Sequence, residues 1–256
     1  MTAVLMVIIA CVLYHYTSVV QKSAQEQCFS ILDDSREQMG QMLTNEMENE
    51  QGHLQAAAYL LEDLVSDYEK NRETILQILN AFSEARSYAH WEVCLPDEQV
   101  IRNDGTVTYL GPEYSFEERV KEGFDVSERR IALKDGKTQI IMLSNSIFKN
   151  EKCIGILSSV IDLKAFAESY LAASYSQKME MLLFERKTGD IIIDSWNDEL
   201  GNIEDIDQLQ AAKGFDWSEV EQDYKGGKSG HGAFMSDEKG EVMYLSFAPV
   251  PYSDWE

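Results

Sequence analysis

Residues 3–20 form an 18-residue apolar run, AVLMVIIACVLYHYTSVV, with no charged side chain, and the run passes without a break into a long polar stretch. Roughly 20 apolar residues carry a helix across a bilayer core, so the run is just long enough to span one. The stretch behind it, QKSAQEQCFSILDDSREQMGQMLTNEMENEQ, contains no proline and is rich in helix formers. The expectation is a transmembrane helix over residues 3–20 that continues as a stalk helix over residues 21–70. A cleaved signal peptide competes with this reading, but it calls for a basic segment before the apolar core and a small-x-small site after it. Neither is evident.

Charge narrows the partners. Twenty-two basic side chains stand against 45 acidic ones, a net of −23. Such a surface repels nucleic acid and anionic headgroups, so no nucleic-acid partner is expected. Orientation is hard to read from positive-inside bias, since the first basic residue is Lys22. The chain reads as a fragment of something larger, short of some N-terminal residues and ending at Glu256 within a strand-like pattern. Its four cysteines, Cys11, Cys28, Cys94 and Cys153, make no disulfide framework and fit no zinc spacing. A Cys94–Cys153 bridge and two buried free thiols both fit.

Beyond the stalk the periodicity alternates between helix and strand. Leu54, Ala57, Ala58, Leu61, Leu64, Val65 and Tyr68 fall on one helical face, and a second helix is expected over residues 72–86. Strands are expected over 91–95 and 106–110, around Asn103-Asp104-Gly105. A short helix over 116–122, strands over 129–133, 139–148 and 153–163, and a helix over 164–174 complete a first block. A second block holds strands over 179–186 and 191–196, a helix over 217–224, a Gly-rich loop over 226–232, and a hairpin from 233–236 and 242–250. This grammar predicts an α+β fold built as two tandem modules with antiparallel sheets. The modules are placed at residues 71–175 and 176–256, the second cut short at its C-terminus.

The segment from Asp135 to Phe166, with its pattern "DGK…I…S..I…..K.IGIL…IDLKAF", resembles the last strands and exit helix of the membrane-distal module of double Cache sensor domains. These are PAS-like extracytoplasmic domains of bacterial transmembrane receptors. The second half is similar to ectodomains attached to diguanylate cyclases (GGDEF proteins) and hybrid histidine kinases. The segments TGDIIIDSWNDELGNI, KGFDWSEVEQDYKGGKSGHGAF and GEVMYLSFAPVPYSDWE carry that likeness. The resemblance covers residues 20–256. It implies an extracytoplasmic sensor at the cell membrane, anchored by its N-terminal helix and acting as a homodimer. An unidentified small molecule would be its ligand, and a diguanylate cyclase, or else a histidine kinase, its cytoplasmic output. It implies no cofactor and no catalysis in this part of the protein. In amino-acid-binding members an Asp follows the last long strand; aligned on Gly155, that position is Val160, and Asp162 is the nearest carboxylate.

The candidate ligand-binding residues are Trp91, Tyr109, Tyr114, Arg129, Arg130 and Asp162, aromatic and charged groups of the kind that line small-molecule pockets. Strand-borne Trp and Tyr serve equally well as plain core, and Asp162 also suits the cap of the exit helix. Asp194, Trp196, Gly201 and Asn202 match the family pattern in a structural sense, Asn202 supporting a turn. Gly226-Gly227-Lys228-Ser229 lacks the earlier glycine of a phosphate loop, Gln222 standing there. The four histidines have no metal-ligand spacing, and His15, between Tyr14 and Tyr16, suits an interfacial aromatic belt. No catalytic arrangement emerges. A surface-anchored hydrolase using paired carboxylates and a cell-envelope adhesion domain remain as readings of other classes.

Overall fold

α1 (Thr2–Val65) is one uninterrupted helix of 64 residues in a computed structural model of the chain. The structure describes residues 2–84, 86–111, 114–132, 135–174, 181–195, 200–203, 210–236, 240–250 and 255, without the side chains of 2–10 and 170–174. Gly40 and Gly52 leave α1 intact, because the backbone bonds carry through and an added Cβ would meet nothing within 4 Å at either. Among the described residues no helix is long and apolar enough to cross a membrane. The span expected over residues 3–20 falls in large part on residues whose side chains lie outside the description.

The chain divides into two compact units, residues 44–203 and residues 1–43 with 204–256. In the first, the end of α1 is followed by α2 (Tyr68–Ser83) and seven antiparallel strands. These are β1 (Ala89–Cys94), β2 (Gln99–Arg102), β3 (Val107–Tyr109), β4 (Phe124–Val126), β5 (Arg130–Ile131), β6 (Gln139–Lys149) and β7 (Lys152–Asp162). The sheet order is β3-β2-β1-β7-β6-β4, with β5 also on β6. α3 (Phe116–Arg119) precedes β4, α4 (Leu163–Ser174) follows β7, and β8 (Leu182–Phe184) with β9 (Ile191–Asp194) forms a separate ribbon. The second unit adds α5 (Trp217–Lys225) and the hairpin of β10 (Gly230–Met235) and β11 (Val242–Phe247).

Strand β2 was not expected. Its turn, Leu95-Pro96-Asp97-Glu98, contains no glycine, and Glu98 takes the left-handed conformation at φ 67°. A turn of that kind announces itself weakly in sequence. β4 (Phe124–Val126) was not expected either, and the remaining elements match the expected types with boundaries moved by a few residues.

One face of the seven-stranded sheet is mostly apolar and faces helices, with Ser159 opposite Trp91 as a buried exception. Trp91 is fully buried and stacks on Phe82 of α2, ring centroids 5.1 Å apart. Leu157 lies opposite Val93, and Ile161 opposite Ile141, on that same face. Gly155 allows a close approach there: a Cβ would stand a tight 3.1 Å from Val65 of α1 and 3.5 Å from the Cys94 carbonyl. The helix therefore lies directly on β7, and the opposite face is left for other uses.

Candidate functional site

Side chains alternate across a strand, so β1 presents His90, Glu92 and Cys94 to the face away from Trp91 and Val93. Antiparallel register then sets their neighbours. Glu92 lies opposite Arg102 of β2 and Ser158 of β7; Ser158 lies opposite Ser144 of β6; Ser144 lies opposite Asp125 of β4. Five strands thus contribute one continuous polar row, Arg102-Glu92-Ser158-Ser144-Asp125. The neighbouring row holds His90, Val160 and Met142, and the next holds Cys94, Ile156 and Ser146.

This face is covered. Phe116 of α3 packs into a cluster with Cys94, Val100 and Ile156. The Lys121 amide donates to the Ser146 hydroxyl at 3.2 Å, Arg119 reaches the Met142 sulfur at 3.8 Å, and the Met142 amide donates to the Ser127 hydroxyl at 2.9 Å. Glu92 and Ser158 are buried, at 7% and 1% exposure.

Burying polar groups is costly unless they are paired, and the row is paired unevenly. The Ser144 and Ser158 hydroxyls share a 2.9 Å hydrogen bond. Glu92 Oε2 lies 3.5 Å from Arg102 Nε and 3.7 Å from His90 Nε2, ion-pair distances without hydrogen bonds. Among the described residues neither Arg102 Nε nor His90 Nε2 has a hydrogen-bond partner, although both atoms are buried. Buried polar groups are nearly always satisfied by protein, water or ligand, and the row leaves these two nitrogens to be satisfied from outside the protein, as Trp91 Nε1 and Ser159 Oγ are on the other face. Thiol chemistry is not among its abilities. Burial pushes the Cys94 thiol up to about 12 against the opposing pull of Arg119, and burial also raises Cys153; a nucleophilic cysteine needs the reverse. Both cysteines are free. Cys94 lies opposite Ile156 and Cys153 opposite Phe148, so they are offset along β7 rather than facing each other. Among the described residues no group of three His, Cys, Asp or Glu side chains is placed to hold a metal.

The six residues singled out from sequence are dispersed. Trp91 belongs to the helix-side core. Tyr109, 64% exposed on edge strand β3, lies opposite Gln99 and shares the face of Ile101 and Trp91. Tyr114 and Arg130 do come together, the guanidinium 4.8 Å from the ring centroid. Arg129 turns elsewhere: its Nη1 donates to the carbonyls of Ile191 (2.8 Å), Leu200 (3.2 Å) and Gly201 (2.9 Å), and its Nη2 to Asp190 Oδ1 at 2.8 Å. Asp162 Oδ1 accepts the Ala165 amide at 3.1 Å, capping α4. Asn202 donates to the Thr188 carbonyl at 2.9 Å, bracing the turn at Gly189; Trp196 lies outside the described residues. Sequence reasoning passed over His90, Glu92, Arg102, Ser144 and Ser158. The available signal was the alternation in HWEVC, which puts a glutamate in phase on a strand whose other phase is Trp and Val.

The chain matches no protein-family model and no curated protein; its likeness is to solved structures. The ligand-binding domain of the Campylobacter jejuni chemoreceptor Tlp3 in complex with L-valine superimposes with a TM-score of 0.62 at 14% identity, over 91% of this chain and 92% of that one. The extracellular domain of soHK1S-Z6, assigned as a histidine kinase, gives 0.66 at 14% identity, over 91% and 93%. The periplasmic sensory domain of the Campylobacter jejuni chemoreceptor Tlp1 gives 0.59 at 13%, over 88% and 92%. The fold is that of sensory domains of chemoreceptors and histidine kinases.

Proposed function

We propose that this sensory fold serves as the extracytoplasmic ligand-sensing region of a membrane-anchored bacterial signalling receptor, working as a homodimer. The observation that carries the reading is the buried polar row Arg102-Glu92-Ser158-Ser144-Asp125. The row joins a cation, two carboxylates and two hydroxyls across five strands, whereas the opposite face carries isolated polar groups such as Ser159 among apolar ones. Residues 3–20 supply the anchor, and the two tandem modules are the distal and proximal parts of the sensor. α1, continuous from Thr2 to Val65, is the element through which occupancy reaches the membrane. A ligand shifts such an equilibrium only by its differential affinity for two states, typically worth ~1–3 kcal/mol. Among outputs, the named receptors with this fold favour a histidine kinase or chemotaxis output; a diguanylate cyclase remains the reading drawn from sequence resemblance.

The ligand is a small carboxylate without a free α-amine. Tlp3 is described in complex with L-valine and with isoleucine. Here Val160, 3% exposed, stands where the double Cache resemblance calls for an amine-binding Asp. Asp162 is occupied in capping α4, and Glu92 already faces Arg102 and His90. An ammonium brought to the Arg102 end of the row, four strands away from Asp125, costs several kcal/mol without its own counter-charge, whereas Arg102 and Arg119 suit a carboxylate. The test is a thermal-shift screen of the 256-residue chain against amino acids, small carboxylates and nucleobases. A carboxylate at about 100 times its Kd adds roughly 2.7 kcal/mol, and Arg102→Gln and Ser158→Val remove the gain. Saturable stabilisation by an amino acid, or a carboxylate effect untouched by both variants, refutes the assignment.

A further inference from the structure

β3 stands at one end of the seven-stranded sheet, with β2 on its inner side. The Arg102 amide donates to the Thr106 carbonyl at 3.0 Å, and the Leu110 amide donates to the Glu98 carbonyl at 3.1 Å. Hydrogen-bonded and free positions alternate along an antiparallel strand, so Thr106, Thr108 and Leu110 turn their backbone groups to β2. Val107 and Tyr109 turn theirs outward. Among the described residues these outward amides and carbonyls have no partner. The two side chains share one face of the sheet, and both are exposed, Val107 at 41% and Tyr109 at 64%.

An open edge is a template for another strand, and proteins ordinarily blunt it with charged side chains or proline. Residues 105–111, Gly-Thr-Val-Thr-Tyr-Leu-Gly, hold neither, in a chain whose net charge is −23. A basic partner would be drawn to the acidic surface at large. Two copies of this chain repel wherever such surfaces meet, and an uncharged strand is where they approach at least cost. The strand is also complementary to itself. With a two-fold axis at Thr108, Val107 of each copy lies opposite Tyr109 of the other, and the outward backbone groups of both residues pair. Aromatic and β-branched side chains directly opposite each other on one face are a favourable cross-strand pair.

We propose that β3 is an interface between two copies of this chain, pairing antiparallel with itself about Thr108 so that the two sheets run on as one. The proposal names a contact for the homodimer put forward above and rests on that reading. It gives Tyr109 a role in association rather than in ligand binding. Residues 106–110 of two copies bury well under the ~1,000 Å² of a stable interface, so the contact is weak between free chains. Between chains anchored side by side, effective concentrations reach the mM range and the pairing is populated. The register also fixes a distance. The two Thr108 residues form a non-hydrogen-bonded pair with Cα atoms about 4.5 Å apart, a separation that a disulfide can span.

The test reads association and register separately in the 256-residue chain. Sedimentation equilibrium at up to about 1 mM is expected to show a reversible dimer. Tyr109→Glu, at an exposed position, weakens that dimer at least about tenfold, because the change enters twice across the axis. Thr108→Cys, in a background carrying Cys11→Ser and Cys28→Ser, is oxidised by copper–phenanthroline to a disulfide-linked dimer. Its rate exceeds that of Asp97→Cys, an exposed control in the turn before β2, by at least about tenfold, since only position 108 meets its own copy at disulfide distance. A dimer unchanged in Tyr109→Glu, or a Thr108→Cys rate no higher than the control, overturns the β3 contact and leaves the homodimer reading standing. Absence of any dimer at about 1 mM overturns both.

Discussion

Arg129→Ala separates a ligand-gripping arginine from one that holds the fold together. The side chain is 16% exposed and spends its donors on three carbonyls and the Asp190 carboxylate. A hydrogen bond to a charged group is worth about 1.5–3 kcal/mol. Nη1 cannot satisfy three acceptors fully at once, so the four contacts count as about two good bonds, and partial resolvation of the freed carbonyls lowers the sum. The expected loss is about 2–3 kcal/mol, and it falls locally. The amides of Ile191 and Ile203, bonded to Gly201 O at 3.2 Å and Gly189 O at 2.8 Å, lie beside the clamp. Native-state hydrogen exchange of the ligand-free chain reads the loss directly. At 1.4 kcal/mol per tenfold, both amides exchange roughly 30- to 150-fold faster in the variant. Exchange within about threefold of wild type refutes the clamp and returns Arg129 to the list of ligand residues.

Gly52→Ala in α1 stabilises the chain by about 0.5–1 kcal/mol, because the site is open and alanine loses less backbone entropy; a drop in denaturation midpoint contradicts this. Asp33 in the second unit is disfavoured as a charge by burial, but the Ser246 hydroxyl, the His231 ring and Arg36 outweigh that and hold its carboxyl below its ordinary value. Its stabilisation is therefore present above about pH 4 and lost as pH falls through the lowered value. Asp33→Asn costs under about 1 kcal/mol at pH 7, as exposed pairs do, and nothing in strong acid; an equal cost at both pH values in urea melts contradicts the assignment. At pH 8 an alkylating reagent modifies Cys94 only on unfolding, since burial holds its thiol at about 12; mass spectrometry showing Cys94 labelled in the folded chain disproves it.

Local chemistry alone determined most of the elements, the short strands β2 and β4 excepted. The absence of proline and the run of helix formers after residue 20 are enough to dictate α1, and alternating Val, Ile and Ser are enough to dictate β6 and β7, because helix and strand periodicities are written within a few residues. Asp162 was legible as a cap for the same reason: the Ala165 amide it accepts is three residues away. The polar row was not legible. Glu92, Arg102, Asp125, Ser144 and Ser158 meet only through register across five strands, and a slip of one residue would send each to the opposite face. Nor does alternation say which phase of β1 faces core. Trp91 became helix-side core and Glu92 went to the opposite face because α1 and α2 cover one side of the sheet, with Gly155 admitting Val65 and Phe82 stacking on the indole. Arg129 shows the same limit: its partners lie 61 to 72 residues downstream, and only the folded chain brings them to its guanidinium.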